Sequence, residues 1–458
     1  MKVAIAGAGP AGLFLAANLM RRPGYEVHVF DSRPDPRDLF PDDVRSYPVQ
    51  LQARGLEALR RIPGLEKRIE QDGMFPSGVA FHFGSRATKI PLPPTKLFVD
   101  HSRMTHTLLQ TALEENEKNS DSTLEMHFGC SVTGIDLDEQ VVNFRSLHDE
   151  QSEKASIAMT FDQVVAADGG HSQIRQLLVR MGKMTVEQKA IPDRHRLLRL
   201  SRASTDGSVQ LDPKCMHGWV LDKGRVKIIA APLLEQDACS AAFVFDFQAF
   251  GDQDPLETLQ TPQEVKDYFQ ELAPKSLAKL VTDKEVADLL KRPTSSMVTV
   301  KCDRLHADDC VVLLGDAAHA MSQSVGQGCI AALQDVSVLC NLLEKSGDNW
   351  KDTLTKYTEI RLLDAQALFE LSDYAKPKTK WMNVEWGLRQ LMRKALPSLM
   401  TKNMRPLPVE LLSDTTLPYR KVLEQSQWWV DRVKQGEDSD NVSGGMNDGA
   451  IKKQVAKT

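Results

Sequence analysis

The ten residues from Val3 to Gly12 restrict the fold more than any other stretch of this 458-residue chain. A short apolar run, Val3 to Ala6, leads into Gly7-Ala8-Gly9-Pro10-Ala11-Gly12 and then the apolar segment Leu13 to Met20. Gly7, Gly9 and Gly12 form the G-x-G-x-x-G pattern of a dinucleotide-binding strand–turn–helix. The first glycine allows a tight turn, the second lets a pyrophosphate approach bare backbone, and the third lets the helix pack close to the strand. Pro10 and Ala11 lie in that glycine turn, and the free N–H groups at the N-terminus of the helix that follows face the phosphates. The pattern alone is weak, and its surroundings decide. Tyr25 to Phe30 alternates as a second strand and ends in Asp31, about 20 residues past the last glycine, where a carboxylate meets a ribose hydroxyl.

The remaining composition narrows the class. Hydrophobic residues make up 41% and charged residues 26%, as in an ordinary soluble globular protein. A net charge of -5 with no basic block gives no electrostatic case for nucleic acid. The seven cysteines are scattered and never form a C-x-x-C pair, which argues for reduced thiols in a reducing compartment and against a zinc site. The first strand begins at residue 3, so no signal or transit peptide is read upstream. No run reaches the ~18 apolar residues of a membrane helix. A cytoplasmic protein without a transmembrane anchor is the expectation.

Along the chain, Ser32 to Asp38 is a proline-rich charged loop, and Gln50 to Ile69 has helical periodicity. Gly73 to Asp100 changes to short alternating segments, read as strands of a second sheet. A helix follows over Met104 to Asn116, then a strand pair, Leu124 to Phe128 with Val141 to Ser146, joined through Ser131-Val132-Thr133-Gly134. Phe161 to Ala167 reads as a buried parallel strand ending at Asp168-Gly169. Leu197 to Phe250 is β-rich and forms the main part of the second sheet, and Thr261 to Leu290 is helical. The strand Val311 to Leu314 runs into Gly315-Asp316-Ala317-Ala318-His319, and the turn Val325-Gly326-Gln327-Gly328 leads into a helix over Cys329 to Leu343. Trp350 to Asp431 is mostly helical with breaks near Pro377, Pro397 and Pro406, and the polar, glycine-bearing end reads as disordered.

Three separated stretches converge on one ligand: the N-terminal fingerprint, Asp162…Asp168-Gly169…Ser172…Arg175, and Gly315-Asp316 with Gly326-Gln327-Gly328. In this order they resemble the FAD-dependent aromatic hydroxylases, the single-component flavin monooxygenases, over about residues 1 to 345. Ser296 to Cys302, Cys310 to Ala320, Arg45-Ser46, Arg103 before Leu108-Leu109, and the segment through Pro397 and Tyr419 look most like the kynurenine-hydroxylating branch of that family. The resemblance implies an α/β fold: a Rossmann-like FAD-binding domain (1–72, 101–180 and 296–345), an interleaved β-sheet substrate domain (73–100 and 181–295), a C-terminal helical region (346–435) and a tail (436–458).

It also implies roles. Asp31 and Arg33 would hold the adenosine end of FAD, with Arg45 and Arg103 near the pyrophosphate and isoalloxazine. Val132 would contact the cofactor from the Ser131–Gly134 connection. Gly315 and Asp316 would meet the ribityl chain, and the N–H groups of Gly326, Gln327 and Gly328 the pyrimidine edge. Asp168 would lie beneath FAD and NAD(P)H, while Asp162 and Arg175 fit a cap and an ion pair as well as a ligand role. His319, inside the flavin motif, reads as a packing residue, and no catalytic side chain is assigned. In such enzymes NADPH or NADH reduces the flavin, and one atom of oxygen passes to an aromatic or unsaturated small molecule.

The pattern departs at identifiable places. Gln323 stands where the family commonly has proline, and Ile330 where it has asparagine. By ungapped matching, the branch's carboxylate-binding arginine falls at Val79, its partner tyrosine at Leu92, a helical asparagine near Ala375 and a second tyrosine near Pro408. None of these can clamp an amino-acid carboxylate, which calls for a bidentate arginine; Arg86 and Lys96 are the substitutes nearby. The branch's C-terminal membrane anchor has no counterpart after Trp428-Trp429, a pair read as helix packing. An FAD-dependent reductase or dehydrogenase without oxygen insertion is the alternative function, and a non-catalytic flavin-binding protein a third.

Overall fold

The structure is a computed structural model that describes residues 1–39, 46–84, 86–92, 95–146, 156–233, 237–273, 275–395 and 404–436. Arg45, Pro397 and the tail after Gly436 lie outside the described residues. The chain divides into two compact units, Met1–Met321 with Gly326–Glu359, and Ser322–Val325 with Ile360–Thr458.

The first unit is built on a six-stranded sheet in the order His306–Ala307, Val311–Leu313, Gln163–Ala166, Lys2–Ala6, Glu26–Asp31, Thr123–Phe128. All neighbours are parallel except the first pair. Parallel strands are covered on both faces, so they read as continuous apolar runs: Val3, Ile5, Val165 and Leu313 are inaccessible to solvent. The helix Pro10–Leu19 packs against the helices His101–Lys118 and Gly328–Ser346, and its small residues allow the close fit.

A seven-stranded sheet forms the second layer, in the order Ser295–Cys302, Val186–Ser201, Ala238–Asp246, Val226–Pro232, Cys215–Leu221, Gly78–Phe83, Arg86–Pro91. The strand Ser295–Cys302, assigned from sequence to the nucleotide region, is an edge of this sheet. One face carries Leu198, Ile228, Phe243 and Phe245 into a core with Val265, Phe269, Leu277 and Val286 of the helical stretch that follows. Within that core the Arg196 guanidinium is paired with Asp254 at 2.8 Å.

Two local expectations change. Leu124 to Phe128 does not pair with Val141 to Ser146: the former is an edge of the parallel sheet. The latter lies between Cys130–Asp136 and Ser156–Thr160 in a separate three-stranded sheet. Gly129, at φ +67°, turns the chain from one sheet to the other, so a third strand intervenes. The single helical run Gln50 to Ile69 is instead the strand Pro48–Leu51 and two helices, Ala53–Leu59 and Leu65–Gln71. Gly64 at φ +86° interrupts it. In the second unit Trp429 is fully buried, donates its indole N–H to the Ala375 carbonyl at 3.0 Å, and meets Trp428 edge-on. Among the described residues no helix is long and apolar enough to cross a membrane.

Candidate active site

Parallel strands aim their C-terminal ends the same way, and ligands settle in the crevice beyond those ends. Here Ala6, Asp31, Ala166 and Leu313 all end at one rim, and a cavity of roughly 620 Å³ opens there. Of the residues expected from sequence, Gly7, Gly9, Pro10, Ala11, Asp31, Arg33, Val132, Asp168, Gly315, Asp316 and Gly328 line it. Gly12, Arg103, Gly326 and Gln327 do not.

The three fingerprint glycines differ physically. Gly7 has φ +108°, and a Cβ there would sit 2.1 Å from the Ala167 carbonyl oxygen. A Cβ on Gly12 would lie 1.9 Å from the Gly7 carbonyl oxygen. A Cβ on Gly9 would meet no atom within 4 Å, because Gly9 faces the cavity. Two glycines hold the turn together and one leaves room for a ligand.

The carboxylates follow different rules. Asp31 accepts the Ala8 N–H at 2.8 Å and the Arg33 N–H at 2.8 Å, and the Arg33 guanidinium forks onto both of its oxygens at 2.9 and 2.8 Å. Burial would push its pKa up, but the guanidinium and these N–H groups outweigh it and hold the carboxyl below the usual range. All four lone-pair positions of Asp31 are engaged, so a ribose can reach this carboxylate only as the Arg33 fork gives way. Asp168 caps the helix Gln173–Arg180 through the N–H groups of Gln173 and Ile174 at 2.7 and 3.3 Å. Its other oxygen, Oδ1, is buried with no partner and belongs to a cavity-lining residue. Desolvation raises its pKa.

Asp316 opens the turn Asp316–His319 and lines the cavity. Desolvation raises its pKa, with the Asp335 charge adding and His319 opposing. A carboxyl whose folded pKa lies above its unfolded value stabilises the folded protein as pH falls from the raised pKa towards the ordinary 3.8. Histidines whose pKa desolvation lowers, His195 and His217 among them, oppose this as pH falls, so the check is a difference: unliganded Asp316→Asn should gain less, or lose more, stability over that window than the unliganded wild type. Superimposable melting-temperature profiles for the two proteins would contradict this.

His319 is more than packing. Its Nε2 lies 2.6 Å from Asp335 Oδ2, which also accepts the Gly315 N–H at 2.8 Å. Both side chains are at most 2% exposed. Asp335 was missed from the sequence, although a carboxylate inside the apolar run Ile330 to Val336 was the available signal. Tyr47 and His101, stacked at 4.9 Å, also line the cavity unforeseen. They come together only because Pro48 pairs with Asp100.

Other expected residues have structural roles. Arg175, fully buried, donates to the carbonyls of Ala317 and Gly170 and to Gln188 at 2.6–2.8 Å. Asp162 accepts the Lys2 N–H at 2.6 Å at the start of the first strand. Gln327 donates to Gln52 at 2.7 Å and precedes the helix Gly328–Ser346, which begins at the cavity. Arg103 lies in the first turn of the helix capped by Asp100. Ile330 is buried and faces Gly55. Cys329 lines the cavity, but burial pushes its thiol up to about 12, so it is not a nucleophile at neutral pH.

A glycine cradle for pyrophosphate, an acid at the second strand end, an unpartnered Asp168 oxygen and a helix N-terminus beyond Asp316 match the needs of a flavin dinucleotide. The chain belongs to the FAD-binding-domain family, the FAD-dependent monooxygenases of the aromatic-hydroxylase type. A family model described as an FAD binding domain matches residues 1–372. Among curated relatives, the chain is 26% identical over 426 residues to the kynurenine 3-monooxygenase of Flavobacterium psychrophilum, covering 92% of this chain and 90% of that protein. It is 26% identical over 429 residues to that of Sus scrofa, covering 93% and 86%. Among solved structures, 2-methyl-3-hydroxypyridine-5-carboxylic acid oxygenase shares the fold with a TM-score of 0.63 at 18% identity, covering 90% of this chain and 95% of that one.

Proposed function

We propose that this flavin monooxygenase draws reducing equivalents from NAD(P)H and hydroxylates an aromatic or unsaturated small molecule more apolar than kynurenine. The observation that carries the substrate reading is the open face of the seven-stranded sheet. Strand register aligns Phe81, Gly218, Ile229, Ala242 and Leu197 in one row across it. Val79, at the position expected of a carboxylate-binding arginine, is two residues from Phe81 on the same face. This face turns towards the cofactor side, since Ser240, two residues from Ala242, donates its hydroxyl to the carbonyl of Ser46, beside Tyr47. The row holds no cation. Arg199, opposite Ser240, lies four strands from Val79, about 19 Å away at 4.8 Å per strand, too far to replace the missing clamp in place. Arg86 is exposed on the edge strand.

FAD, when bound, supplies hydride acceptance and oxygen activation. The chain supplies the rest. Gly7, Gly9, Pro10 and Ala11 admit the pyrophosphate, while Asp31 and Arg33 take the adenosine end. Val132 and Asp168 wall the centre, with Arg103 and Arg45 assigned to the phosphate and ring side. Gly315 and Asp316 orient the ribityl hydroxyls. The backbone at Gly326, Gln327 and Gly328 brings a helix N-terminus to the pyrimidine edge, where it favours negative charge. Apolar residues of the sheet exclude water from the reacting face.

Purified protein mixed with NADPH or NADH and oxygen in stopped flow, with kynurenine and with carboxylate-free aromatics, tests the proposal. The expected result is slow flavin bleaching with kynurenine, and bleaching and product-coupled oxygen uptake stimulated by an apolar aromatic. Kynurenine turnover at the rate of a dedicated enzyme would overturn the substrate reading. Reduction of substrate without oxygen uptake would favour the reductase.

A further inference from the structure

Outside the cofactor cavity, the edge of the six-stranded sheet gathers three ligand-type side chains. His28 lies on the strand Glu26–Asp31 and Glu125 and His127 on its parallel neighbour Thr123–Phe128. His28 is paired in register with Glu125, and His127 with Phe30. Side chains at alternate positions share a face, so all three project from the same side. His28 Nδ1 is 3.1 Å from His127 Nε2, and Glu125 Oε2 is 3.5 Å from the first and 3.6 Å from the second. Tetrahedral zinc with ligands at about 2.0–2.1 Å spaces them about 3.3 Å apart. The triangle has the dimensions of one face of that tetrahedron.

An independent feature prepares the site. His28 Nε2 is 2.9 Å from Glu26 Oε1, and Glu26 is held in turn by Lys2 Nζ at 2.9 Å. A carboxylate on the far nitrogen fixes the imidazole tautomer and leaves the lone pair on Nδ1, as in carboxylate–histidine–metal triads. His28 is nearly buried, with 3% of its side chain exposed, while Glu125 is 60% exposed. The fourth coordination position therefore opens to solvent. His127 stacks on Phe30 at 4.5 Å, which orients its ring without using either nitrogen.

We propose that His28, Glu125 and His127 bind one divalent cation of the zinc class, with Glu26 orienting His28 and water completing the coordination. Two imidazoles and one carboxylate select zinc, cobalt or nickel over magnesium and calcium, which prefer all-oxygen sets. The cation ties the edge strand Thr123–Phe128 to its neighbour. Phe30, against which His127 packs, lines the cofactor cavity, so the clamp stiffens the wall next to Asp31 and takes no part in the oxygen chemistry.

The test uses FAD-loaded protein without a polyhistidine tag, titrated with Co2+ and followed by visible absorption, and with Zn2+ followed by calorimetry. The expected result is one ion per chain with a tetrahedral cobalt spectrum free of thiolate charge transfer. Zinc at a hundredfold excess over Kd should raise the melting temperature by about 2–5 °C. Glu125→Gln, at an exposed position, should weaken binding about tenfold or more, as loss of one ligand predicts, and His127→Gln should abolish it with the flavin spectrum unchanged. Uptake unaltered in both variants, a thiolate band from the cysteines, or no uptake at about 100 µM metal, where only a site with a Kd weaker than that concentration would stay mostly empty, would each overturn the proposal.

Discussion

Gly9→Val is expected to fold like the wild-type apoprotein and to lose FAD binding by about a hundredfold or more, about 2.8 kcal/mol. The reason is the direction of its missing side chain. A Cβ on Gly9 meets nothing within 4 Å and its φ of -82° suits any residue, so the protein alone tolerates the substitution. The added atoms occupy the space through which a pyrophosphate reaches the backbone. Gly12→Ala should behave in the opposite way. Its Cβ would fall 1.9 Å from the Gly7 carbonyl oxygen, and only separation of the first helix from the first strand can relieve that contact. Overpacking of this kind costs roughly 1–3 kcal/mol, and more against backbone. Melting temperatures of the apoproteins, beside FAD affinity from fluorescence quenching, separate the two effects. If Gly9→Val lowered the apoprotein's melting temperature as much as Gly12→Ala, the division of labour among the glycines would be wrong.

Asp335→Ala should be among the most destabilising single changes in the first unit. The carboxylate is inaccessible to solvent, and it accepts from both His319 and the Gly315 N–H. Truncation leaves an imidazole and a backbone donor buried without their acceptor, a loss of about 1–3 kcal/mol for each of the two orphaned groups. Asp335→Asn keeps one acceptor oxygen and should cost less, about 1–3 kcal/mol. Urea midpoints measured with and without FAD test this. A shift in Asp335→Ala no larger than that of an exposed substitution would show that the brace does not hold the Gly315 turn. Because Gly315 and Asp316 line the cavity, weakened FAD binding should accompany the lost stability.

These two predictions also separate what the sequence discloses from what it hides. The fingerprint is legible because its constraints are local: a positive φ at Gly7 and a close approach at Gly12 exclude every other residue type. Asp168 and Asp316 are legible because each ends an apolar strand, and strand ends converge in a parallel sheet. Asp335 acts from a helix twenty residues beyond Gly315, and no local pattern names its partners. The Tyr47–His101 stack and the apolar row from Phe81 to Leu197 depend on strand register, which the sequence fixes only through the fold. The pairing of Leu124–Phe128 failed for a similar reason: adjacency in sequence suggested a hairpin, whereas the left-handed turn at Gly129 starts a new sheet. Asp31 lines the cavity, but its saturation by Arg33 depends on the path of the loop that follows it, which no local pattern discloses.

The cofactor cavity is lined by residues spread from Ala6 to Ala332, and this spread sets a timetable for synthesis. At about 5–20 residues per second, roughly 16–65 s separate the emergence of its first wall from that of its last. For about the first half of that interval the first strand waits for Gln163–Ala166 beside it, and that strand then waits for Val311–Leu313 for most of the rest. The full cavity therefore exists only once the segment through Ala332 has emerged. Until Gln163–Ala166 emerges, the apolar strand Lys2–Ala6 lacks the partner that covers its second edge.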